Sequence, residues 1–231
     1  MEKKLLKDYS DEEKGAYLGA ISSIATADHS ASDEEIGYMM ALAESADLSD
    51  EQKLAVRRAA TELTGQELKR CLDILKNSDL KYSLVTDLIS FAESDKKYSE
   101  EEKANVEKIS HYLGINQEQF NLLDQFVKKT AETQPEPEEV TKPNFLSKLG
   151  LDQKFQKSGI NMSSLTKGLL GIDGPIILAN LIRGRKNKGM GSSINPFGMG
   201  GGGGLGSIIS MLSGGRGFSR TGNMFNRVFG L

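Results

Sequence analysis

No proline occurs in the first 132 residues, and six candidate helix starts within them have Ser, Thr or Asn followed three positions later by Glu or Gln. In this arrangement the first side chain accepts a hydrogen bond from an exposed N–H at a helix start. The Glu or Gln then reaches back to the first residue's own N–H. The pairs are Ser10/Glu13, Ser32/Glu35, Ser49/Gln52, Thr64/Glu67, Ser99/Glu102 and Asn116/Gln119. Each precedes a run of apolar residues, and most of these runs have the i, i+3/i+4, i+7 spacing of an amphipathic helix, as in Leu68-Cys71-Leu72-Leu75 or Phe120-Leu123-Phe126-Val127. No strand-like alternation interrupts them. The expected fold is all-α, a bundle of about seven helices.

The helices contain an internal repeat. Shifting the chain by 67 residues places Asp28, Ser32 and Glu35 on Asp95, Ser99 and Glu102, and places Leu48 on Ile115. The preceding apolar helices coincide approximately, with Leu18, Ile21 and Ile24 falling on Val85, Leu88 and Phe91. Each half reads as helix, acidic turn, helix, short connection, helix. The expected packing is two helical hairpins related by a pseudo-two-fold, with the acidic turns near one another.

Charge divides the chain in two. Residues 1–139 carry 30 acidic and 17 basic side chains, whereas residues 140–231 carry 12 basic residues and only Asp152 and Asp173 as acids. The overall net charge of −3 hides an acidic head and a basic, glycine-rich tail. A single cysteine, Cys71, excludes an internal disulfide or a multi-cysteine zinc site. Its place among Leu68, Leu72 and Leu75 marks it as a buried thiol. The start of the chain is charged and lacks an apolar signal region, and the apolar stretch 168–182 is too short to span a bilayer. A cytoplasmic protein, peripheral to a membrane at most, is expected.

Two segments carry a resemblance. Residues 24–36, with Asp28 and the Ser32-to-Glu35 helix start, and residues 91–102, with Asp95 and the Ser99-to-Glu102 start, resemble TerB-like tellurite-resistance domains over about residues 15–130. The family pairs a helix ending in Ala-Asp-Gly with a Ser/Thr-x-Glu-Glu helix start, in two copies. In this chain His29 and Lys96 stand where the family has glycine. The resemblance implies a small helical bundle without catalytic activity, a role in metal or envelope stress, and an acidic cluster linked to divalent metal.

Asp28, Glu35, Asp95 and Glu102 are thus candidate ligands for Ca²⁺ or another divalent cation, since hard cations take several oxygen donors. A second reading needs no metal: Glu35 and Glu102 are capping partners, and Asp28 and Asp95 close turns beside helix N-termini, where negative charge is favoured. His29 and His111, the two histidines, fall in different contexts. Phosphate loops, nucleophile elbows, metalloprotease motifs and triads are absent, so no enzyme is expected.

The expected organisation is a helical domain over 1–132 and an acidic, extended linker over 133–143 containing Pro135, Pro137 and Pro143. Short amphipathic or apolar segments with basic residues follow over 144–188, then a low-complexity Gly-rich tail over 189–231. The basic cluster of Arg183, Arg185, Lys186 and Lys188 closes the third part. Apart from a simply flexible tail, three uses are open. Apolar clusters beside lysines suit an anionic membrane surface. Ordering within a partner or homo-oligomer suits an assembly protein. Nucleic acid is disfavoured, because Arg-Gly-Gly repeats are missing. The function expected is a non-enzymatic binding or scaffolding module tethered by its tail. The alternative is a structural component of a large assembly, a filament or virus particle, with a TerB-like head.

Overall fold

In the computed structural model, residues 5–25, 33–61, 65–94, 100–133 and 135–170 other than 136, 141 and 143 are described. All regular structure among them is helical. The head comprises α1 (Asp11–Ala25), α2 (Asp33–Ser45), α3 (Asp50–Thr61), α4 (Gln66–Leu75), α5 (Leu80–Ser94), α6 (Glu100–Tyr112) and α7 (Gln117–Thr133). Four short helices follow: α8 (Pro137–Val140), α9 (Phe145–Leu149), α10 (Asp152–Ser158) and α11 (Met162–Gly168).

Local chemistry starts these helices as expected at three sites. Ser10 N–H donates to Glu13 Oε2 (2.9 Å), and Glu13 N–H returns a bond to Ser10 Oγ (3.3 Å). At α7, Asn116 N–H donates to Gln119 Oε1 (3.1 Å) and Gln119 N–H to Asn116 Oδ1 (2.9 Å). Ser49 Oγ accepts from Gln52 N–H at α3 (3.3 Å). The fourth site differs. Helix α4 begins after Gly65, which has φ 77° and supplies no side-chain cap. Glu67 instead accepts from Arg70 (3.0 Å), and Thr64 lies outside the described residues. The remaining boxes begin at Ser32 and Ser99, also outside them.

The repeat is visible in the hydrogen bonds that end α2 and α6. Ala46 N–H bonds Leu42 O, Asp47 N–H bonds Glu44 O and Leu48 N–H bonds Ala43 O, at 2.9, 2.9 and 3.1 Å. Sixty-seven residues on, Leu113, Gly114 and Ile115 donate to Ile109, His111 and Ser110, at 2.9, 3.0 and 3.0 Å. Both ends are Schellman motifs, with Asp47 (φ 56°) and Gly114 (φ 76°) in the left-handed conformation. The next residues, Leu48 and Ile115, turn inward and are buried. In the first half α1 packs on α3 and α4; in the second α5 packs on α6 and α7; and α1 touches α5 between the halves. Tyr17, Leu18, Leu72, Leu84, Leu88, Ile109 and Leu123 belong to one continuous core.

That core does not stop at residue 132. Phe145, Leu146, Leu149, Leu151, Phe155, Ile160, Leu165, Leu169 and Leu170 join it, so residues 144–170 form a strap over the head. Phe126 of α7 meets Phe145 and Phe155 edge-to-face, with centroids 6.2 and 5.8 Å apart. Helix α10 runs antiparallel to α7, with Lys154 on Gln125 (2.8 Å) and Ser158 O on Gln119 (2.9 Å). The strap then turns, and α11 lies along α5. The expected 133–143 linker is also partly built: α8 occupies its centre, and Val140 is buried. The physical reason is cooperative. Helices of five to seven residues do not persist alone, and burying each Leu, Ile or Phe contributes about 1.5–3 kcal/mol. The apolar faces of 144–170, expected to meet a foreign surface, are thus turned onto the head. Among the described residues no helix is long and apolar enough to cross a membrane.

Candidate functional site

Glu35 and Glu102 occupy the same third position of α2 and α6, a register set by the repeat. First-turn carboxylates lie where the helix dipole favours negative charge. Asp28 and Asp95, and the turns that carry them, lie outside the described residues, as do His29 and the basic cluster Arg183, Arg185, Lys186 and Lys188. Among the described residues no group of three or more His, Cys, Asp or Glu is arranged to hold a metal ion. The four expected ligands are all carboxylates, a donor set whose chemistry fits a hard divalent cation. His111 is exposed on α6, and Cys71 is buried.

A polar centre that sequence reasoning missed sits where α1, α5 and the strap meet. Tyr17 on α1 is 0 % exposed and Asp87 on α5 is 1 % exposed. The Tyr17 hydroxyl donates to Asp87 Oδ2, and the same oxygen accepts the backbone N–H of Leu170 (3.1 Å). Burial, followed by the Asp87 charge, pushes the Tyr17 hydroxyl well above its ordinary pKa. A carboxylate at this depth is tolerable only with donors, and two of them come from different parts of the fold. The available signal was Asp87's place on the apolar stripe between Leu84 and Leu88, where a solvent-facing acid does not belong.

The rest of the strap is held largely by its backbone. Ser83 Oγ donates to Leu165 O (3.0 Å) and the Tyr9 hydroxyl to Ser164 O (2.9 Å). Lys129 Nζ donates to Leu149 O (2.5 Å) and Gln119 Nε2 to Ser158 O (2.9 Å). Lys167 pairs with Asp8 (2.7 Å), and that hydrogen bond holds the Asp8 carboxyl below its usual range. Gly168 marks the closest approach: a Cβ there would lie 2.2 Å from Ser83 Oγ and 2.7 Å from Ser83 Cβ.

Two further polar junctions tie helices together. Lys14, 8 % exposed, donates to Ala46 O at the end of α2 and to Asp11, both at 3.0 Å. A cation at a helix C-terminus is favourable. Asp73 on α4 accepts from the Tyr112 hydroxyl on α6, and Lys76 Nζ lies 3.7 Å from the centre of the Tyr112 ring. The Tyr112 hydrogen bond first, then Lys69 and Lys76, holds the Asp73 carboxyl below its ordinary value. A shallow groove of about 240 Å³ between α7 and α10 is lined by Glu118, Leu122, Gln125, Lys154, Lys157 and Ser158. The two junctions position helices, with Lys14 engaged by Asp11 and Ala46 O, and Asp73 by Tyr112, Lys69 and Lys76.

A family model described as tellurite resistance protein TerB matches residues 9–125, which covers α1 to the middle of α7 and leaves the strap outside. Neither curated proteins nor solved structures gave a match. With the doubled acidic helix starts, the repeated Schellman ends and a family match over half its length, the chain belongs to the TerB tellurite-resistance family.

Proposed function

We propose that this chain is a non-enzymatic, cytoplasmic binding and scaffolding module for metal or envelope stress, whose head takes a divalent cation at the two acidic turns and whose tail tethers it. The observation that carries this reading is the doubled helix start. Asp33-Glu34-Glu35 opens α2, and Glu100-Glu101-Glu102 opens α6. Asp28 and Asp95 precede them at equal spacing and supply the remaining oxygen donors. Thermal unfolding of the full chain tests it. Ca²⁺ raises the melting temperature, and the Asp28→Ala/Asp95→Ala double substitution abolishes the shift. No shift with millimolar Ca²⁺, Mg²⁺, Mn²⁺ or Zn²⁺ removes the cation from the reading.

The tether is the chain beyond Leu170, where seven basic residues accompany one acid. Flotation with anionic liposomes tests it, comparing full-length protein with residues 1–170; a cut at 139 removes the strap and bares the core. Tail-dependent, salt-sensitive flotation supports a membrane surface. No flotation by either form moves the tether to a protein assembly, the structural-component reading.

A further inference from the structure

We propose that residues 144–170 are an exchangeable strap, and that two copies of the chain dimerise by trading it. Five side chains of the head, Tyr9, Ser83, Asp87, Gln119 and Lys129, hold the strap through its backbone. Its own helices have five, seven and seven residues. They are too short to survive undocked, so the strap opens as a unit. Opening uncovers the apolar face of α5 and α7 together with the Asp87 carboxylate, a costly surface to leave in water.

The occupant that restores every contact is an identical strap. Charge favours the same occupant: residues 144–170 carry four lysines and one acid, against 30 acids and 18 basic residues in 1–143. A strap is therefore drawn to the acidic head of a second copy as well as its own. The connector is suited to the exchange. Docking in cis makes the chain reverse between α7 and the antiparallel α10, across a segment containing Pro135, Pro137 and Pro143. Pro137 opens the single-turn helix α8 of this connector, which is too short to persist undocked, so the connector can straighten toward a neighbour once the strap opens. Ten connector residues span up to roughly 33 Å, and domain swapping is a low-cost route to a dimer.

The test uses the full chain in two mass-distinguishable batches. They are mixed at about 1 mM, comparable to the effective concentration of a short tether, and held just below the unfolding temperature. Size exclusion with light scattering and native mass spectrometry then count monomers and mixed dimers. Mixed dimers are expected to form, with faster mixing at low salt. Gly168→Ala, which crowds Ser83, is expected to speed mixing about tenfold, equivalent to ~1.4 kcal/mol of lost docking. Replacing the three connector prolines with glycine is expected to lower the dimer fraction severalfold. If Gly168→Ala does not fold, Lys129→Met removes one strap bond and still speeds mixing. Monomers at every concentration overturn the proposal. So does a dimer whose mixing ignores both the strap and connector substitutions, because its interface then lies elsewhere.

Discussion

Removing the Asp87 carboxylate disconnects three parts of the fold in one step. In Asp87→Ala, the Tyr17 hydroxyl and the Leu170 N–H lose their shared acceptor at a site where Asp87 is 1 % exposed. A hydrogen bond to a charged group contributes about 1.5–3 kcal/mol, and a buried donor left unpaired costs about 1–3 kcal/mol. Because the two bonds share one oxygen, the expected loss is about 3–5 kcal/mol, the range for breaking a buried charged pair. Against a total stability of about 5–15 kcal/mol, that is a large fraction. Tyr17→Phe removes only the hydroxyl and is expected to cost about 1.5–3 kcal/mol. The assay is urea unfolding with m held in view, together with the double substitution. A coupling energy of about 1–2 kcal/mol between positions 17 and 87 is expected for residues in contact. An Asp87→Ala protein within about 1 kcal/mol of the parent, at unchanged m, refutes the assignment of Asp87 as the central hold on the strap.

Three further outcomes follow from the same geometry. Gly168→Ala is expected to cost about 1–3 kcal/mol by overpacking, and hydrogen exchange should place the loss in residues 145–170; unchanged protection there contradicts the close approach at Ser83. At Gly114 a Cβ would meet nothing within 4 Å, so Gly114→Ala isolates the left-handed backbone penalty of about 1–2 kcal/mol. A thermal scan showing no loss rules that strain out. Alkaline pH is expected to destabilise the head. Burial, with the charges of Asp79 and Glu13, raises the Tyr9 hydroxyl from 10.0 to about 12, and Tyr17 and Tyr82 are also raised, burial being the largest cause. Groups raised in the folded state contribute fully below the unfolded value, and their contribution is lost as pH climbs from about 10 through their folded values. Stability constant across that window, measured by urea unfolding alongside tyrosinate absorbance, contradicts the buried placement.

The parts of this fold legible in the sequence depend on near neighbours. A capping box spans three residues, so Ser10/Glu13 and Asn116/Gln119 announce themselves without knowledge of packing. The repeat is readable because both Schellman ends must place an inward apolar residue after a left-handed one. Thr64/Glu67 shows the limit: Gly65 offers a left-handed backbone one residue later, and the helix starts there. The strap was hidden for the opposite reason. Its apolar spacing is correct for short helices, but only α5 and α7, from about 20 to about 80 residues away, decide whether those faces meet the head or another surface. Asp87 was legible in principle as an acid on an apolar stripe; its two donors, 70 residues before it and 83 after, were not.

That placement changes how head and tail relate. A tail attached at residue 132 would hang from a proline linker and act as an independent tether. Here the last described residue, Leu170, is 1 % exposed and bonds through its amide to a carboxylate between α1 and α5. The last described residue of the strap is thus held in the core, and the basic residues from 171 onward follow it in sequence. Binding that draws on this chain loads the Leu170–Asp87 bond before it reaches the connector. Opening the strap to relieve that load uncovers the groove that another copy can fill. The proposed tethering and the proposed strap exchange both act on this bond, so Asp87 substitutions are expected to alter both, whereas a substitution at Gly114 weakens the head but leaves that bond intact.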